Sequence, residues 1–87
     1  MASTDAVDTR KIAFTNTSST EERFDNKCVG IVLSASADCH VDFDKPADTG
    51  SLFIKANVSP VYFPAEFTRI TVIGNAGSGN LYIAALR

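Results

Sequence analysis

The feature that most constrains this chain is alternation. From residue 28 onward, polar and apolar side chains exchange places at nearly every step, in short runs cut by turn-forming clusters. Period two sends successive side chains to opposite faces of an extended strand, whereas an amphipathic helix needs a 3.6-residue period, which no stretch of useful length carries. Val29, Ile31, Leu33 and Ala35 make one face of the first such run, and Cys39, Val41 and Phe43 face inward from the second, with His40, Asp42 and Asp44 outward. Leu52, Ile54 and Ala56 repeat the pattern, and residues 68–73 and 80–86 add two more strands. Lys11-Ile12-Ala13-Phe14-Thr15 is a short strand near the start. Val61-Tyr62-Phe63, set between Pro60 and Pro64, can only be an edge, because proline donates nothing to a ladder.

Six or seven short strands with turn signals every ten or so residues predict an all-β fold, a small antiparallel β-sandwich or barrel of jelly-roll-like type. Residues 10–87 form the single β domain, and residues 1–9, small and polar with acidic punctuation, read as a flexible N-terminal arm that orders only on a partner. The segment 19–24 is long enough for one capped helical turn and no more. A chain of 87 residues has one core and buries only about 60–65% of the surface its unfolded form exposes, so partner subunits are an expected source of added stability.

The alternation also predicts local pairings. A three-residue connection at Ser36-Ala37-Asp38 sets Leu33 opposite Val41 and Ile31 opposite Phe43 in one hairpin, keeping one face dry. That register points Cys39 inward and Cys28 outward at far ends of the pair, which excludes a disulfide between them. Residues 74–79, with three glycines, read as the turn of a second hairpin in which glycine supplies positive φ.

Charge and motifs exclude several functions. The formal net charge is −2 and the basic residues are scattered, so no nucleic-acid footprint exists. Residues 1–8 hold neither a basic segment nor an apolar one, and no run is long enough to span a membrane. The expectation is a protein made and kept in a cytoplasm, with free thiols and no membrane partner. His40 is the sole histidine, neither cysteine shares its predicted face, and no serine lies in a nucleophile elbow, so no catalytic residue is assigned. The glycines at 74–79 lead into a strand rather than a helix N-terminus, so no phosphate cradle forms there.

Two constellations remain. Asp38, His40, Asp42 and Asp44 recur every second residue and stand about 6–7 Å apart along one strand face. Such a row can hold a cation, but metal sites draw ligands from several elements, so a solvated outer face is the plainer reading and no cofactor is assigned. The aromatic group Phe53, Tyr62, Phe63 and Phe67, beside Pro60 and Pro64, can form a platform for sugar or peptide, close an open end of the sandwich, or sit in a subunit interface. Apolar residues on the second face of strands need cover that a two-layer sandwich this small cannot give. Val32, Phe53, Ile73, Tyr82 and Leu86 hold such positions, and with Tyr62, Phe63 and Phe67 of the aromatic group they are the expected interface residues.

Residues 28–48 (CVGIVLSASADCHVDFDKPAD), 52–57 (LFIKAN) and 70–74 (ITVIG) with 79–83 (GNLYI) resemble small structural proteins of tailed bacteriophages in their texture of strands and turns. The resemblance carries no site motif. It implies a non-enzymatic virion component made in the bacterial host cytoplasm. Such a component is a capsid decoration (cement) protein or a head, neck or tail accessory protein. Its partners would be copies of itself, as a trimer or larger, and other virion proteins such as the major capsid protein. The alternative from the residues is a lectin-like or receptor-binding β module using Tyr62, Phe63 and Phe67 or the acidic strand with calcium.

Overall fold

The computed structural model describes residues 7–87. Eight strands run in order: β1 (Val7–Phe14), β2 (Thr20–Cys28), β3 (Gly30–Ala35), β4 (Cys39–Phe43), β5 (Leu52–Ile54), β6 (Val61–Phe63), β7 (Phe67–Gly74) and β8 (Gly79–Leu86). They form two four-stranded antiparallel sheets, A with order β1-β8-β3-β6 and B with order β2-β7-β4-β5. Alternate strands thus enter alternate sheets, and only β4 and β5 are consecutive neighbours in one sheet. That interleaved order is the eight-stranded jelly roll, a double-sheet solution that leaves no face of the core open.

The strand that sequence reading lacks is β2, TEERFDNKC, in which Phe24 is the one apolar residue before Cys28. A β-bulge between Arg23 and Cys28 interrupts its pairing with β7. The bulge breaks period two and removes the only signal that could have revealed the strand. Part of the expected arm is strand. Val7 already pairs with Leu86, so residues 7–9 belong to β1, while residues 1–6 lie outside the described part.

Neither expected hairpin forms. Leu33 pairs with Ile83 and Val61 within sheet A, and Val41 pairs with Val72 and Leu52 within sheet B. Alternation states that Leu33 and Val41 both point to the core, and that requirement is met equally by side-by-side pairing and by facing each other across a sandwich. The strands β7 and β8 likewise lie in different sheets, and residues 75–78 arch between them. No glycine has positive φ; Asp44 (59°) and Asn57 (57°) hold that conformation instead. Gly74 and Gly79 are required by crowding: a Cβ on Gly74 would lie 1.9 Å from the Gly77 carbonyl oxygen, and one on Gly79 would lie 2.8 Å from Ala37 Cβ.

The core is continuous between the sheets, from Ile12 and Phe14 through Ile31, Leu33, Val41, Ile70 and Val72 to Leu81 and Ile83. Phe67, expected at an interface, is 1% exposed and packs between Phe24 (5.7 Å, edge-on) and Phe43 (4.9 Å). Cys28, expected outward, is fully buried, and Val29, expected inward, is 50% exposed. The reason is the change of sheet between β2 and β3. Val29 is the lone pivot residue, its N–H donating to the Leu86 carbonyl at 2.8 Å, so the alternation seen from Ile31 onward does not extend back through it. Both cysteines are buried free thiols.

Candidate functional site

The acidic row falls on the outer side of β4 and its flanks, and every member is occupied by the fold. Asp38 Oδ1 accepts the Ala56 N–H at 2.7 Å. Asp42 accepts the Phe43 N–H through one oxygen and the Ser51 hydroxyl through the other, both at 2.9 Å. Asp44, in the left-handed conformation that Asp tolerates, receives the Thr68 N–H, the Thr68 hydroxyl and the Arg69 N–H on a single oxygen. These carboxylates cap connections between strands. Among the described residues, no three His, Cys, Asp or Glu side chains converge as a cation site.

His40, expected to be solvated, is only 7% exposed. Its ring tilts against Phe53 at 5.4 Å, and its two nitrogens reach separate connections. Nδ1 lies 3.1 Å from the Ser51 carbonyl and Nε2 lies 2.9 Å from Oδ1 of Asn75. A carbonyl only accepts, so Nδ1 donates; the Asn75 amide can turn to donate to a neutral ring or accept from a charged one. His40 therefore braces the β4–β5 connection to the β7–β8 arch. The alternation located its face, but the residues that cover it come from 11 and 35 positions away and leave no local trace.

The two thiols are inert by their surroundings. Burial pushes the Cys39 thiol up to about 11, with the Asp38 carboxylate adding to the effect, and burial also raises Cys28. Neither approaches the thiolate character that reactivity needs.

The expected interface residues separate into three groups. Val32, Tyr62, Tyr82 and Leu86 share the outer face of sheet A, where registers bring Thr9, Ala84, Val32 and Tyr62 into one cross-strand row and Lys11, Tyr82 and Ser34 into the next. Phe53 and Ile73 flank His40 on the outer face of sheet B. Phe63 is half-buried and packs against the core that holds Phe67. The loop platform of Tyr62, Phe63 and Phe67 is therefore not assembled, because alternation sends Tyr62 outward while the other two turn in.

The two outer faces differ in chemistry. On sheet B, Glu21 takes Arg69 at 3.1 Å and Arg23 beside it, and Lys45 approaches Asp42 at 3.7 Å, so charges of both signs satisfy one another. On sheet A, Tyr62 (53%) and Tyr82 (45%) are exposed beside Val32, Ala84 and Leu86, and the strands contribute one charged side chain, Lys11. Tyr62 lies down over Gly30, where a Cβ would come within 2.9 Å of its ring. Between the two rows runs an open trough of about 460 Å³, bounded by Lys11 and Thr9 at one end and Pro60 at the other, with Tyr82, Ala84, Val32 and Ser34 along it. Sequence reading missed Lys11, Ala84, Gly30 and Pro60 as members of this surface, since β1 and β3 become neighbours of β8 only through the interleaved topology.

Comparison with models of protein families, with curated proteins and with solved structures found no match.

Proposed function

We propose that this protein is a non-catalytic structural module that holds on to other protein subunits through the outer face of sheet A. The observation that carries the reading is the contrast between the faces: that of sheet B sets a neutralised charge network beside Phe53 and Ile73, whereas that of sheet A is an apolar strip with two exposed tyrosines and a single cation. Aromatic residues with few charges mark surfaces that gain by being covered. The setting that best suits such a module is a tailed-phage particle. There it would act as a decoration or accessory protein whose neighbours are further copies of itself and the shell protein beneath. Support for that setting is the resemblance in strand texture together with a jelly roll that spends its polar side chains on capping its own connections.

The test is light scattering across a concentration series, alone and with purified phage particles, for the parent protein and Ala84→Arg, which plants a charge mid-face. Self-association or saturable particle binding that Ala84→Arg abolishes supports the reading. A monomer that binds no particle overturns it. A melting temperature raised by simple sugars or lowered by EDTA would favour the lectin-like alternative.

A further inference from the structure

We infer that the trough across sheet A receives an extended segment of a partner protein in which a carboxylate stands next to apolar side chains; this rests on the docking role proposed above. Six of the eight Lys and Arg side chains form ion pairs within the fold; Lys11 and Arg87 form none among the described residues, and of these two only Lys11 projects from the strands onto this face. By register, the outer face of sheet A contributes no carboxylate from any of its four strands. A purely apolar partner laid over this face leaves the exposed Lys11 ammonium unpaired or forces it aside into water, whereas a carboxylate at that end gains a charge-assisted contact. Charge complementarity therefore favours an occupant that brings its own acceptor to the Lys11 end.

Shape sets the rest. The trough crosses β1, β8 and β3 to reach Pro60 before β6, three inter-strand steps or about 14 Å, the length of about four residues of extended chain. Tyr82, Ala84 and Val32 offer an apolar bed for one or two side chains, and the Thr9 and Ser34 hydroxyls can bond to a passing backbone. The surface is too apolar and too open to hold a sugar by the several converging polar groups that sugars need. A second copy docked face to face would set Lys11 against another surface without carboxylates, so the charge favours a segment of different sequence.

The experiment pans the full chain against a displayed library of random octapeptides, then measures a synthetic consensus peptide by calorimetry. Enriched peptides should pair Asp or Glu with adjacent apolar residues. The consensus peptide should lose about fivefold or more in affinity on Lys11→Met, which keeps the stem and removes the charge, and should not bind Ala84→Arg. Melting curves establish that both variants fold. No enrichment, a consensus without a carboxylate, unchanged binding to Lys11→Met, or binding of glucuronate in place of peptide each overturns the inference. If Ala84→Arg abolishes self-association or particle binding while no acidic peptide is selected, the docking face stands and this inference falls. If acidic peptides bind but the parent neither self-associates nor binds particles, the reverse holds.

Discussion

The guanidinium of Arg10 lies 4.5 Å from the centre of the Phe24 ring, and this contact joins the two sheets along the margin where β1 and β2 are both edge strands. Arg10 also donates to Asp8, to Glu22 at 2.6 Å and to the Arg23 carbonyl at 2.8 Å, so one planar fork covers an aromatic core residue and ties both edges. Lysine has neither the plane nor the donors to replace it.

Asp8 reports on this corner. The Arg10 hydrogen bond holds its carboxyl below the ordinary 3.8. A folded-state value below the unfolded one means the contribution is present at neutral pH and disappears as pH falls through the folded value. Acid titration of the melting temperature should show a decline below about pH 4 that is shallower in Asp8→Asn. Arg10→Met should cost about 1–2 kcal/mol in chemical denaturation. An unchanged midpoint for Arg10→Met would show that the corner is held by the sheets alone.

At the other end of the scale, the thiols predict alkaline loss. Cys39 is raised to about 11 from 9.0, and Cys28 is raised as well, so the folded state keeps protons that the unfolded chain releases. Their contribution is complete below pH 9 and lost as pH climbs toward 11. Cys39→Ala should flatten that part of the stability profile, at the cost of a lower plateau from the cavity it leaves. Native protein should also resist a thiol reagent at pH 8 until denaturant is added; rapid labelling of both thiols in buffer would contradict their burial.

Phe67 and Tyr82 are both aromatic, and both were expected at an interface, yet they occupy opposite situations. Phe67→Ala removes a ring packed between Phe24 and Phe43 and should cost about 3–5 kcal/mol. Tyr82→Ala should change stability by no more than about 0.5 kcal/mol while weakening whatever sheet A binds. Equilibrium urea unfolding of the two variants separates core from surface directly.

That pair also shows where sequence reading reaches and where it stops. Period two revealed which side chains of β3 and β4 turn inward and that β7 and β8 are strands, and hence much of the core and the class of fold. It could not reveal partners. Two inward faces look identical whether their strands lie side by side or across a sandwich, so Leu33 and Val41 were matched as neighbours when they belong to opposite sheets. Where a strand is interrupted, as by the bulge after Arg23 or the pivot at Val29, the period slips and the reading slips with it. Phe67 begins β7 just beyond Pro64, and its company of aromatics and prolines resembled a loop when it was a strand end entering the core. The sheet A surface was half legible: second-face position marks Val32, Tyr82 and Leu86, and the aromatic cluster marks Tyr62, but Lys11 joins them only because β1 pairs with β8.

The β7–β8 arch gives the sharpest test of how the two sheets are joined. If residues 74–79 were a hairpin turn built on left-handed glycines, alanine at any of the three glycines would be similarly unfavourable. The arch predicts inequality. Gly74 N–H donates to the Thr15 carbonyl at 2.8 Å, and its missing side chain leaves room for the Gly77 carbonyl to fold back, which a Cβ at 1.9 Å would forbid. Gly77 itself faces open space and has no positive φ. Gly74→Ala should therefore destabilise by about 1–3 kcal/mol through forced backbone displacement. Gly77→Ala should be neutral or stabilise by up to about 1 kcal/mol by restricting the unfolded chain. Thermal and urea unfolding of the two single variants decide the matter: equal losses at both positions would mean that the chain turns here as a glycine hairpin and that β7 and β8 are neighbours after all.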